Sequence, residues 1–256
     1  MYLIDVQGTL IDDINKLPIS GAIEFIESLN SQLIPYAIVT NNSKKPSEEF
    51  YNYLKKLGFN IPKSSYLDPL MVLKHSLHVK KVCCFGTSEF VKVIESLGYE
   101  NTFTNPEAIL LTSSKEFNSD IFSNMIEMVL SGAKLIGMHG TSIYSKNGRR
   151  YAGVGAILKM ISHATNSSYE VIGKPSPIFY REALKILHVT NFKNIEMISD
   201  DAVGDLVGIK ELGAKTTLVL SGKCKNKEEI VHVKNKIDRV ANSIKELVDN
   251  SHQKLS

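Results

Sequence analysis

The sequence predicts an α/β fold: a parallel-sheet core with a second, smaller α/β unit inserted into it. Three observations carry this expectation. Short apolar runs alternate with helix-spaced segments along nearly the whole chain, the sequence signature of βαβ units and hence of a parallel sheet. In the first and last thirds these runs end in acidic, hydroxyl or lysine residues, at the strand ends where an α/β sheet binds its ligands. In the middle third the alternation continues with nothing catalytic at the run ends. The core is therefore placed at residues 1–69 and 169–256, and the insert at 70–168.

The opening run Met1-Tyr2-Leu3-Ile4 delivers Asp5, after which Gly8 allows a tight turn and Thr9 adds a hydroxyl. Ala22, Phe25, Ile26 and Leu29 follow helical spacing. A second strand is expected over Leu33–Val39, ending in Thr40-Asn41-Asn42-Ser43. Ser47 is placed as the N-cap of a helix to Leu57 that Gly58 closes. In the insert, strands are expected at Lys80–Phe85, Ala108–Thr112 and Lys134–Met138, with helices at Ser88–Leu97, Asp120–Leu130 and Val154–Thr165. A hairpin or loop is expected at Ser145–Arg150, and a return linker at Thr165–Tyr169. Lys174 follows Val171-Ile172-Gly173, and Pro177 suits the first turn of the next helix. The strand Ile195–Ser199 ends in Asp200-Asp201, and a helix opens at Gly204-Asp205. Thr216–Leu220 is a further buried strand, and Arg239–Asp249 has helical spacing.

Composition excludes several function classes. The chain has 256 residues, 43% of them hydrophobic and 22% charged, enough for one large core or for a core with an insert. A net charge of +3 without a basic, aromatic-interleaved stripe argues against nucleic acid. Lys223, Lys225 and Lys227 read as a solvated loop and helix face. No apolar segment approaches the ~20 residues of a membrane span, and the N-terminus lacks the pattern of a signal peptide. The three cysteines, two of them adjacent at Cys83 and Cys84, form neither a disulfide framework nor a metal spacing. They read as buried strand thiols, and the expected location is the cytoplasm.

Asp5, Thr40, Lys174 and the pair Asp200 and Asp205 each have a mundane reading as turn, cap or surface charge. Together they form a kit for phosphoryl transfer. Asp5 would attack phosphorus in line, Thr40 would donate to a phosphoryl oxygen, and Lys174 would neutralise charge. Asp200, with Asp5 and the backbone carbonyl of Gln7, would hold Mg²⁺, a hard ion that takes oxygen ligands and keeps waters. Such catalysis is mostly positioning and charge stabilisation.

The strings Asp5-Val6-Gln7-Gly8-Thr9-Leu10, Thr40-Asn41-Asn42-Ser43, Gly173-Lys174-Pro175-Ser176-Pro177 and Ser199-Asp200-Asp201-Ala202-Val203-Gly204-Asp205 resemble the motifs of the haloacid dehalogenase-like (HAD) phosphohydrolases. The large insert between the second and third resembles the class with an α/β cap, typified by 4-nitrophenylphosphatase-like and phosphoglycolate phosphatase-like enzymes. The resemblance implies a Rossmann-like parallel-sheet core with the insert as cap, and Mg²⁺ as cofactor. It places Asn41 with the catalytic group, Asn42 with substrate binding and Asp205 with the metal set. It also implies a small phosphorylated substrate and dimerisation through the cap. His139 and Thr141, after a cap strand where this class carries its specificity loop, are candidates for substrate contact. His75 and His78, spaced for one helix face, read as structural, with no third ligand for a metal.

One departure bears on chemistry. Where the family has a second aspartate as general acid and base, this chain has Gln7. An amide cannot exchange that proton, a function contributing typically ~10²–10⁴-fold, although it can orient a water. The loss matters least for pyrophosphate or a phosphoramidate. The branch that includes phospholysine phosphohistidine inorganic pyrophosphatase also lacks that aspartate, and the chain is similar to it around Tyr144–Gly155 and Ser199–Asp205. Ser199 replaces the family's common glycine. The leading expectation is a Mg²⁺-dependent phosphatase acting through an aspartyl-phosphate on Asp5. The alternative is a catalytically impaired protein of the same fold that binds metal or phosphate in a regulatory or interaction role. A P-loop is excluded because Ser168 stands where its first glycine would be.

Overall fold

Runs rich in Ile, Val and Leu tolerate burial on both faces, which is what an interior strand of a parallel sheet requires. The structure, a computed structural model, describes residues 1–146 and 149–252. Its first elements are β1 (Tyr2–Asp5), α1 (Ala22–Ser31), β2 (Tyr36–Val39), α2 (Ser47–Lys56) and β3 (Tyr66–Leu67). Next come α3 (Pro69–Ser76), β4 (Lys81–Phe85), α4 (Ser88–Ser96), β5 (Glu100–Asn101), β6 (Ala108–Leu111) and α5 (Ser119–Leu130). They are followed by β7 (Lys134–Gly137), β8 (Ile143–Lys146), β9 (Arg149–Ala152), α6 (Val154–Thr165) and β10 (Tyr169–Val171). The chain continues through α7 (Pro177–Ile186), β11 (Glu196–Ser199), a π-turn at Ala202–Leu206 and α8 (Val207–Glu211). It ends with β12 (Lys215–Val219), 3₁₀ turns over Lys227–Lys236, β13 (Arg239–Ala241) and α9 (Lys245–His252).

These elements form two compact units. The first comprises Met1–Thr40, Glu48–Leu67 and Tyr180–Ser256, and the second Asn41–Ser47 and Asp68–Phe179. The sheet of the first unit has six parallel strands in the order β13-β12-β11-β1-β2-β3. Leu3, Ile4, Ile38, Ile198 and Leu218 are fully buried in its strands. On α1, Ala22, Phe25, Ile26 and Leu29 are buried, the face that the spacing predicts.

The second unit has its own parallel sheet, β10-β7-β6-β4-β5, and an antiparallel hairpin of β8 with β9. Its core joins Ile109, Leu111 and Leu135 of the sheet to Met125 of α5 and to Ile157, Leu158 and Ile161 of α6. The α/β class with a parallel-sheet core and an inserted α/β unit therefore stands as the sequence predicts.

Several elements differ from the sequence expectation. The insert was expected to end at 168, with Thr165–Tyr169 as linker, yet Tyr169–Val171 joins the second sheet beside β7. Val171 and Tyr169 pack on that unit's core, which favours pairing over a free linker. The helix expected over Arg239–Asp249 is a strand followed by a helix. Residues Arg239–Ala241 pair with β12 and cover its open edge, so ladder hydrogen bonds override the helical spacing. Leu33 lies outside β2 with φ +54° and is exposed, because the chain turns there out of α1. The helix expected from Gly204 begins as the π-turn. Asp201 caps it, its carboxylate accepting from the Gly204 N–H at 2.8 Å.

The hairpin expected at Ser145–Arg150 forms, with residues 147–148 of that stretch outside the described residues. Helix α3 ends at Ser76, so His75 and His78 do not share a helix, and both are exposed. Among the described residues no helix is long and apolar enough to cross a membrane.

Cys83 and Cys84 are buried on β4, and burial pushes both thiols up to about 12. Cys224 is partly exposed, and burial raises its thiol as well. Since the thiolate is the nucleophile, brief alkylation of the native protein at neutral pH should modify Cys224 well before Cys83 or Cys84. Peptide mass spectrometry reads the order, and equal labelling of all three would contradict the burial of β4.

Candidate functional site

Strand register brings the acidic residues together. Asp5 is level with Val39 across β1 and β2, and Ile4 with Ile198 across β1 and β11. Thr40 and Asp200 therefore each leave their strand one residue beyond the level of Asp5. Parallel strands on either side of β1 thus deliver a hydroxyl and a second carboxylate to the same edge of the first unit. Asp5, Thr40, Asp200 and Asp205 are all buried there, while Gln7 is partly exposed.

The turn after β1 is tight because it folds back on its own start. The amides of Leu10 and Ile11 both donate to the Val6 carbonyl, at 2.9 and 3.0 Å. Thr9 donates its hydroxyl to Asp5 Oδ2 at 3.4 Å. Gly8 takes φ +77°, and a Cβ there would lie 2.1 Å from Asp200 Oδ2. Glycine is needed on both counts, for the left-handed backbone and for room. Thr40 donates its hydroxyl to Gln7 Oε1 at 2.9 Å. The residue that departs from the family pattern and the expected phosphate donor are thus hydrogen-bonded to each other.

Around Asp205 the hydroxyl of Ser199 donates to Oδ2 at 2.7 Å and also accepts from the Asp201 N–H at 3.1 Å. Ser199 therefore orients the buried carboxylate beside it. Tyr180, wholly buried, donates its phenol to the Asp205 carbonyl at 3.1 Å. Burial, followed by the charges of Asp205, Asp5 and Asp201, holds that phenol well above its usual range.

Burial, then the charge of Asp5, pushes the Asp200 carboxyl well above the usual carboxylate range. Asp201 and Asp205 add to the shift, and the Lys223 N–H opposes it. Buried carboxylates this close repel one another, so each depends on its hydrogen-bond donors and nearby charges. Among the described residues no group of three or more His, Cys, Asp or Glu side chains is arranged to hold a metal. Asp5 and Asp200, at the ends of adjacent strands, are the side chains that could serve an ion using one or two carboxylates with backbone oxygens and waters.

The remaining expected residues belong to the second unit. Lys174 is buried, its N–H donates to Asn41 Oδ1 at 2.9 Å, and its carbonyl accepts from the Gly140 N–H at 2.9 Å. Asn42 uses its amide within this unit, donating to the Lys45 carbonyl at 2.8 Å and to Asp68 Oδ2 at 3.2 Å. His139 follows β7, with Nε2 3.2 Å from the Ser113 hydroxyl. The Thr141 carbonyl accepts from the Gly155 N–H at the start of α6.

Sequence reasoning missed the turn after β12. Lys223 is exposed, as a solvated face requires, but its N–H also donates to Asp200 Oδ2 at 2.5 Å and Nζ pairs with Asp201 at 2.6 Å. The available signal was Ser221-Gly222-Lys223 directly following a buried strand.

The chain is also similar to known proteins. A family model described as haloacid dehalogenase-like hydrolase matches residues 2–100, and a second, HAD-hydrolase-like, matches residues 171–247. The chain is 27% identical over 252 residues to a dihydroxyacetone phosphatase of Corynebacterium glutamicum, covering 97% of this chain and 90% of that one. It is 27% identical over 257 residues to the phospholysine phosphohistidine inorganic pyrophosphate phosphatase of Rattus norvegicus, covering 96% and 92%. The solved p-nitrophenyl phosphatase from Archaeoglobus fulgidus shares the fold with a TM-score of 0.82 at 24% identity, covering 97% of this chain and 98% of that one.

Replacing Ser199 by alanine leaves the buried Asp205 carboxylate without its hydroxyl donor, a loss of about 1–3 kcal/mol. Ser199→Ala should lower the urea unfolding midpoint accordingly. A midpoint equal to wild type would show that this hydrogen bond contributes nothing.

Proposed function

This chain belongs to the haloacid dehalogenase-like hydrolases and is a phosphohydrolase of that family, and from that premise we propose a Mg²⁺-dependent phosphatase acting through Asp5. The observation that carries the proposal is the buried pair of Asp5 and Asp200 at the ends of adjacent parallel strands, with the Thr40 hydroxyl on the other side of Asp5.

In the proposed reaction a carboxylate oxygen of Asp5 forms a bond to phosphorus as the bond to the leaving group breaks. Water then attacks the aspartyl-phosphate, releases inorganic phosphate and regenerates the carboxylate. Thr9, donating to Asp5 Oδ2, restrains the rotation of the nucleophile. Thr40, donating to Gln7 Oε1, orients Gln7 so that its amide NH₂ can turn toward a phosphoryl oxygen or the attacking water; to donate to phosphate itself, the Thr40 hydroxyl would exchange that partner. Asp200, Asp5 and the Gln7 carbonyl would hold Mg²⁺, which when bound neutralises charge and lets a phosphate dianion approach the carboxylates. Lys174 and Asn41 receive their catalytic roles, charge neutralisation and its support, from their motifs. Substrate contact by Asn42, His139 and Thr141, and metal support by Asp205, rest on sequence resemblance in the same way.

Gln7 narrows the substrate class. Without a carboxyl at position 7 no side chain there can protonate a poor leaving group, so good leaving groups are favoured: pyrophosphate, a phosphoramidate or an activated phosphomonoester. The name of the rat relative, with phospholysine, phosphohistidine and pyrophosphate in it, supports including the first two.

Phosphate release should be measured with Mg²⁺ and with EDTA on pyrophosphate, a phosphoramidate, 4-nitrophenyl phosphate and sugar phosphates. Release should need Mg²⁺ and should vanish in Asp5→Asn while circular dichroism is unchanged; full activity in that variant rules out Asp5 as nucleophile. Gln7→Asp should raise turnover of sugar phosphates more than that of 4-nitrophenyl phosphate. The gain should tend toward the roughly 10²–10⁴-fold that a positioned acid supplies. If no monoester gains, the missing acid does not limit this enzyme. Mg²⁺ binding without turnover on any substrate would instead favour the binding-protein reading.

A further inference from the structure

We infer that the turn Ser221-Gly222-Lys223 positions Asp200 for the divalent cation, with Lys223 as a positioning residue that raises metal affinity. The inference rests on the proposed role of Asp200 as a metal ligand. No motif of the sequence analysis includes this turn.

Four contacts fasten the turn. Ser221 donates its hydroxyl to the Gly8 carbonyl at 2.7 Å, and the Cys224 N–H donates to the Asp200 carbonyl at 3.2 Å. The Lys223 N–H donates to Asp200 Oδ2 at 2.5 Å, and its ammonium reaches Asp201 Oδ2 at 2.6 Å. The turn is therefore bound to the loop that follows β1 and to the loop that follows β11.

Gly222 shows how closely these loops approach. A Cβ there would lie 2.0 Å from Asp200 Oδ2 and 2.5 Å from the Gly8 Cα, and its φ lies outside the left-handed range. Glycine is required at this position for room, not for backbone freedom. The Asp200 carboxylate consequently sits in a slot between two glycines, with Oδ2 fixed by a charge-assisted hydrogen bond. Its other oxygen, Oδ1, would supply the metal contact.

Lys223 has two opposing influences on a divalent cation. As a nearby positive charge it would weaken binding. As the anchor that holds its own N–H on Asp200 and neutralises Asp201, it would strengthen binding by fixing the ligand. Partners that orient a metal ligand typically change affinity ~10–100-fold when removed. Lys223 is at the surface and its ammonium pairs with Asp201 rather than with Asp200, so the ordering effect should dominate. The sign of the change separates the two roles.

Mg²⁺ binding to the full chain should be measured by titration calorimetry without substrate for wild type, Asp200→Asn, Lys223→Met, Lys223→Arg and Ser221→Ala. Lys223→Met should raise the Kd for Mg²⁺ about tenfold, Lys223→Arg should restore most of it, and Ser221→Ala should move it in the same direction as Lys223→Met. In phosphate release, Lys223→Met should need more Mg²⁺ for half-maximal activity while kcat at saturating Mg²⁺ stays near wild type. An unchanged or tighter Kd in Lys223→Met, with wild type binding and Asp200→Asn not, overturns the inference alone. Wild type failing to bind Mg²⁺ overturns both the inference and the metal reading beneath it.

Discussion

Two carboxylates buried side by side in a protein interior repel each other and lose their hydration, and each loss costs several kcal/mol unless other groups compensate. Asp5 and Asp200 impose this constraint on the first unit, and its neighbouring parts answer it. Gly8 and Gly222 give Asp200 room that no side chain could leave. The Lys223 N–H and the Thr9 hydroxyl supply donors, one to each carboxylate. Ser199 does the same for Asp205, and Tyr180 holds the π-turn that carries it.

The contact between Thr40 and Gln7 gives the departure at position 7 a structural meaning. An aspartate there would be a further acid near Asp5 and Asp200 and would add to the repulsion. Glutamine removes that charge and accepts a hydrogen bond from the strand next door. The exchange avoids that repulsion, and an amide at this position cannot exchange a proton as a carboxyl would.

The second unit has its own polar centre. Asp68 is fully buried, yet it accepts from the Leu70 and Met71 amides that open α3, from Asn42 and from Ser47. Asn42 is thereby committed to the frame, while Asn41 braces the backbone of Lys174. Adjacent residues thus divide between holding the unit together and holding the backbone of the buried Lys174.

Sequence by itself determined the α/β class, the two-part organisation and the strand-end positions of Asp5, Thr40 and Asp200. Burial on both faces makes parallel strands continuous apolar runs, and a run states where it ends. Local periodicity also placed α1 and its buried face. It did not place Arg239–Ala241 or Tyr169–Val171, where an open sheet edge nearby decided the pairing. Nor did it find Lys223, 23 residues after Asp200 in the chain. Its role depends on β12 lying beside β11 and on two glycines meeting across the strand ends. Those are close approaches between distant segments, and only the assembled sheet sets them.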